Sequence, residues 1–125
     1  MTTSLQGARV LVVEDEYLVA SLIEDMLQSA GCIVAGPIPR LAQALDAAES
    51  EVCDAAVLDV NLAGERVFPV ADILSRRNVP FLLVTGYDGN TLPPAYAGCP
   101  RLHKPFRLAD LLAALRGMLK GRPES

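Results

Sequence analysis

Ala55-Ala56-Val57-Leu58-Asp59 is an apolar run that stops at a carboxylate, and two further runs end in polar residues in the same way. Arg9-Val10-Leu11-Val12-Val13 leads into Glu14-Asp15, and Phe81-Leu82-Leu83-Val84 leads into Thr85-Gly86. Short apolar runs without polar alternation read as strands covered on both faces. Strands of that kind belong to parallel sheets with helices packed on each side. Polar residues at their carboxyl ends then gather on one rim, where open α/β proteins place ligands.

Between these runs the apolar spacing is helical. Leu18, Val19, Leu22, Ile23, Met26 and Leu27 mark a first helix, ended by Gly31 where a left-handed residue is wanted. Cys32-Ile33-Val34-Ala35 reads as a short strand closed by Gly36-Pro37, and Leu41, Ala44, Leu45 and Ala48 mark a second helix. Val67, Val70, Ala71, Ile73 and Leu74 mark a third, with Asn78 before the Val79-Pro80 break. Turn formers crowd residues 87–94, so a fourth helix is expected to be short or irregular, starting at or after Pro94. Arg101-Leu102-His103 reads as the last strand, Leu108 to Leu119 as the last helix, and Arg122 to Ser125 as a frayed tail. The order predicts an α/β fold: a doubly wound, five-stranded parallel sheet with flanking helices and right-handed crossovers.

The length of 125 residues suits one domain, 1–125, with its core over about residues 8–120. Aromatics are 5% of the chain and Trp is absent, so the core is expected to be aliphatic. A net charge of −4 and no basic stripe argue against nucleic acid and against an anionic membrane as partners. Arg76-Arg77 reads as the solvated end of a helix. Cys32, Cys53 and Cys99 are widely spaced and His103 is the sole histidine, which does not suit a structural zinc site. Met1 to Ala8 carry no apolar secretory core, so a cytoplasmic location is expected.

Glu14 and Asp15 repel each other unless a cation or basic group compensates them. Magnesium takes oxygen ligands, keeps several waters and needs one or two direct carboxylates. Asp15, Asp59 and one backbone carbonyl meet that need. The acidic pair alone suits a helix N-terminus equally well; Asp59 tips the balance toward metal. A carboxylate beside magnesium can attack a phosphoryl group to form an acyl phosphate. A lysine and hydroxyl donors stabilise such a transfer, and Lys104 and Thr85 are the candidates. Taken singly, each reads as a surface lysine and a turn residue.

Together, Val13-Glu14-Asp15, Leu58-Asp59-Val60-Asn61, Val84-Thr85-Gly86 and Lys104-Pro105-Phe106 resemble the receiver domains of two-component response regulators, over nearly the whole chain. The resemblance implies the flavodoxin-like receiver fold and a stand-alone response regulator in phosphorelay signal transduction. Asp59 would accept a phosphoryl group from a sensor histidine kinase or phosphotransferase, forming an aspartyl phosphate. Transfer and hydrolysis would be self-catalysed, so the chain would not be a conventional enzyme. Mg2+ is the implied cofactor, with Asp15 and Asp59 as ligands, Glu14 acting mainly through water and Asn61 lending its backbone carbonyl. Thr85 and Lys104 would hold the phosphoryl oxygens. The implied output is binding to a downstream protein or service as a phosphate shuttle or sink, as a monomer or a phosphorylation-dependent dimer.

Several positions depart from the family pattern. Leu62-Ala63-Gly64-Glu65 stands where Met-Pro then Gly is frequent, Glu14 replaces the commoner Asp, and Leu102 occupies the place of the switch aromatic. Tyr87 and His103 are the alternatives for that aromatic, and Asn61 and Tyr87 for tuning the phosphoryl lifetime. Phosphorylation would bias the loop from Tyr87 to Gly98 and the face of the last helix. Phe68 and Met118 read as core, with partner contact as the alternative. Residues 80–87 partly match a Pro-Phe-x-Phe-Ala-Thr-Gly-Tyr-like motif of single-domain receivers. The weakened switch positions leave a phosphorylation-independent interaction module as the rival. An aspartyl-phosphate hydrolase ranks last, because Asn61 stands where such enzymes want a second aspartate.

Overall fold

A computed structural model describes residues 4–86 and 92–120. Five parallel strands form the central sheet: β1 (Arg9–Val13), β2 (Ile33–Ile38), β3 (Ala55–Asp59), β4 (Phe81–Thr85) and β5 (Arg101–His103). Their spatial order is β2-β1-β3-β4-β5, so the chain first winds one way from β1 and then the other. The crossovers carry α1 (Tyr17–Ser29), α2 (Leu41–Ser50) and α3 (Phe68–Arg76), and α4 (Leu108–Met118) follows β5. Among the described residues between β4 and β5 stands one 3-10 turn, Pro94–Tyr96, the short element expected at or after Pro94. Two adjacent prolines remove the amide donors a longer helix would need there.

Alternation along the strands divides the core into two layers. Val10, Val12, Val57, Leu82 and Val84 face α1 and α4, meeting Ile23, Leu27, Leu111 and Leu115. Leu11, Val13, Leu58 and Leu83 face α2 and α3, meeting Ala44, Ala48, Val70 and Leu74. Each fully buried aliphatic side chain contributes about 1.5–3 kcal/mol of burial. Leu5, ahead of β1, is also buried in the first layer. Leu18 and Leu22 are not: at 81% and 51% exposed they lie on the outer side of α1, and Ala20, Ile23 and Leu27 make its inner face.

Gly31 ends α1 with φ +90°, its amide donating to the Gln28 carbonyl and that of Cys32 to the Leu27 carbonyl. That is a Schellman closure. Asn78 closes α3 in the same way with φ +60°, with Val79 N–H on Leu74 O at 2.9 Å. Arg76 and Arg77 are exposed at the end of α3, as expected, and the Arg77 guanidinium donates to the Ala48 carbonyl of α2.

Strand β2 departs from expectation by running through Gly36-Pro37 to Ile38. It is an edge strand, so Pro37 leaves no ladder partner unsatisfied. The register slips between Leu11↔Ala35 and Val13↔Ile38, and Gly36 sits in the slip with φ +101°. A Cβ there would lie 2.7 Å from the Val12 carbonyl oxygen.

Candidate functional site

Sheet register sets the rim. Val13 pairs with Leu58, which puts Glu14 level with Asp59; Asp59 pairs with Val84, and Thr85 with His103, one residue before Lys104. Three backbone hydrogen bonds fasten these ends: Glu14 N–H to Ile38 O at 3.0 Å, Val60 N–H to Val84 O at 3.0 Å and Lys104 N–H to Thr85 O at 2.8 Å. Residues 45 positions apart thus meet, with Glu14 at 2% and Asp59 at 5% exposure.

Lys104 is the hub. Its Nζ lies 3.3 Å from Asp59 Oδ2 and 3.1 Å from Glu14 Oε1. It also donates to Glu14 Oε2 at 3.2 Å and to Glu16 Oε1 at 2.9 Å. Glu16 is a residue the sequence reading missed. Burial works against the Lys104 charge, but the hydrogen bonds to Glu16 and Glu14 and the charge of Asp59 outweigh it and push its pKa upward. Asp59 is pushed up to about 8, chiefly by burial, with the neighbouring Glu14 carboxylate and then Asp15 adding to the rise against the pull of Lys104.

Glu14, Asp15 and Asp59 each offer an oxygen, all within 4.8 Å of one another. Glu14 Oε1 is buried without a hydrogen-bond donor; at 3.1 Å from Nζ it has ion-pair contact alone. Asp15 is aimed by the Ala63 N–H, which donates to its Oδ2 at 3.0 Å. A cluster of oxygen donors with one buried carboxylate oxygen short of a partner fits a hard divalent cation.

The small ribbon after β3, Asn61–Leu62 against Glu65–Arg66, braces this cluster. Asn61 N–H donates to Asp59 Oδ1 at 3.2 Å, and Asn61 Oδ1 accepts from Gly64 N–H at 3.0 Å. The departure at residues 62–65 thus forms a tight turn, with Ala63 and Gly64 both at positive φ. Thr85 is buried at the rim, and its hydroxyl points to the Leu102 carbonyl, 3.4 Å away. His103 is exposed, and its Nδ1 lies 2.8 Å from the Lys104 carbonyl oxygen.

Leu102 packs on the layer beneath α4, and the half-buried Met118 joins that layer. Phe68 stacks on the buried Tyr96 with ring centroids 5.1 Å apart, and the Tyr96 hydroxyl donates to the Asp72 carboxylate. Tyr87 lies outside the described residues. Adjoining the rim at Lys104, a cavity of about 400 Å³ opens between α1 and β5, lined by Glu16, Val19, Leu22, Lys104 and Phe106 among others.

The sequence pattern described as the response regulator receiver domain matches residues 10–116. The chain is 34% identical over 126 residues to the transcriptional regulatory protein TcrA of Mycobacterium tuberculosis, covering 95% of this chain and 49% of that protein. It therefore spans about half the length of the curated relatives it matches. Among solved structures, SdrG from Sphingomonas melonis Fr1 superposes with a TM-score of 0.81 at 37% identity, over 90% of this chain and 97% of that one. The receiver domain of the sensor histidine kinase PA1611 from Pseudomonas aeruginosa, solved with a magnesium ion coordinated in its active-site cleft, gives 0.79 at 28% identity, over 90% and 98%.

Proposed function

This chain belongs to the response regulator receiver domain family, and from that membership we propose that Asp59 accepts a phosphoryl group from a sensor histidine kinase or phosphotransferase. The observation that carries the reading is the rim itself: three carboxylates within 4.8 Å and an ammonium 3.3 Å from Asp59. An Asp59 oxygen attacks phosphorus, a P–O bond forms, and the P–N bond to the donor imidazole breaks, its nitrogen keeping the electron pair. In the return step water attacks phosphorus, the aspartyl P–O bond breaks and the carboxylate is regained, with one proton released. The chain would thus turn over its own phosphoryl group rather than act as a conventional enzyme.

Glu14, Asp15 and Asp59, with the Asn61 backbone carbonyl, would hold magnesium, which offsets the negative charge on the phosphoryl oxygens. Lys104 would supply a second positive charge beside Asp59, its Nζ 3.3 Å from Oδ2. Thr85 reaches a phosphoryl oxygen by turning from the Leu102 carbonyl, a long and weak partner at 3.4 Å. Tyr17, Leu18 and Leu22 expose an apolar strip on α1 beside the rim, which supports a protein as phosphodonor. No helix among the described residues is long and apolar enough to cross a membrane. We place the chain in the cytoplasm, relaying the phosphoryl state to a downstream protein or acting as a shuttle or sink.

Intact-mass measurement tests the reading, with magnesium plus either acetyl phosphate or a phosphorylated histidine kinase as donor. The expected result is one phosphoryl adduct per chain, dependent on magnesium and absent in Asp59→Asn. No adduct from either donor overturns it.

A further inference from the structure

Of the three carboxylates on Lys104 Nζ, two belong to the proposed magnesium set and one does not. Glu16 makes the shortest contact, 2.9 Å, from a side chain that is 61% exposed. Its backbone is fixed to the rim, because Glu16 N–H donates to Glu14 Oε2 at 3.1 Å. The contact spans 88 residues of sequence, and nothing in the helix that follows requires it. Glu16 makes no side-chain capping hydrogen bond at the start of α1.

We propose that Glu16 is a positioning residue that competes with the incoming phosphoryl group for Lys104. The proposal rests on the receiver reading above. Glu14 and Asp59 surrender part of their hold on Lys104 once a divalent cation shares their charge. Glu16 does not, since it lies outside the cation's oxygen set. The three N–H donors of Lys104 are already divided among Glu14, Glu16 and Asp59, so a phosphoryl oxygen gains the full ammonium only as Glu16 gives up its share, and the strength of that ion pair sets how readily the site accepts a donor. An ion pair this exposed is weak and screened by salt, which suits a contact that is broken at every turnover. In this proposal Lys104 meets the donor phosphoryl group already in the bound complex. Releasing it therefore changes apparent donor affinity more than the limiting rate.

The test compares wild type, Glu16→Gln and Asp25→Asn, an exposed α1 carboxylate whose loss makes the same change in net charge. Two readouts are taken: the saturation curve for acetyl phosphate in magnesium, and the side-chain ammonium resonance of Lys104 in metal-free protein. Glu16→Gln is expected to lower the KM for acetyl phosphate about two- to five-fold, the range an exposed ion pair supports, with the limiting rate nearly unchanged. It should also shift the Lys104 resonance, while Asp25→Asn changes neither. An unmoved KM, an equal drop in Asp25→Asn, or an unmoved resonance overturns the competition. If wild type takes no phosphoryl group from acetyl phosphate or from a kinase, the receiver reading falls and this proposal falls with it.

Discussion

Without metal, burial and the neighbouring Glu14 carboxylate push Asp59 up to about 8 in the folded chain, against an ordinary carboxyl value of about 4 in the unfolded one. Between those values the folded state binds more protons than the unfolded one, so this group makes stability fall as pH rises from about 4 to 8. The slope from one such proton is at most about 1.4 kcal/mol per pH unit. Urea melts of wild type against Asp59→Asn should show this slope in wild type alone, and saturating magnesium, which on the proposed reading binds the ionised carboxylate, should remove it. A flat difference curve without metal would contradict the burial argument. At this scale the candidate site was largely legible: Glu14, Asp15, Asp59 and Lys104 do meet. Glu16 was hidden because one carboxylate more in an acidic stretch reads as helix-terminal charge. Its partner, 88 residues away, is fixed only by the register of β5. The direction of the Thr85 hydroxyl toward Leu102 was equally beyond any local pattern.

Among the elements, β2 carries the sharpest local constraint. Gly36→Ala combines a left-handed φ with a Cβ 2.7 Å from backbone oxygen, and such strain costs on the order of 1–3 kcal/mol. Because Ile38 O receives the Glu14 amide, the same change should loosen the acidic end of β1. The expected outcome is a lower urea midpoint together with weaker magnesium binding in titration calorimetry. Full stability would show that the slip in register can move elsewhere. The helix ends at Gly31 and Asn78 were readable, since left-handed residues there announce themselves by type. The passage of β2 through Pro37 was not, because a proline in a strand is tolerable only at an edge, and edge position is a property of the whole sheet. Leu18 and Leu22 marked α1 rightly yet lie outside the core, since helical spacing marks apolar residues without saying which of them the sheet covers.

The whole molecule is two apolar layers separated by one sheet. Ile23 lies in one and Ile73 in the other. Ile23→Val and Ile73→Val should each cost about 0.5–1.5 kcal/mol, and the double variant should lose their sum to within about 0.5 kcal/mol. A coupling well above that in denaturant melts would mean that the sheet transmits repacking from one layer to the other. The layered plan was legible because unbroken apolar strands demand cover on both sides. It also decides what the rim can report. Glu14, Asp59 and Lys104 come from β1, β3 and the end of β5, so no fragment shorter than 91 residues contains all three. On the proposed receiver reading, a phosphoryl label on this chain would therefore be a tally of copies folded over residues 14–104: a nascent or partly unravelled molecule carries the same aspartate and would stay silent.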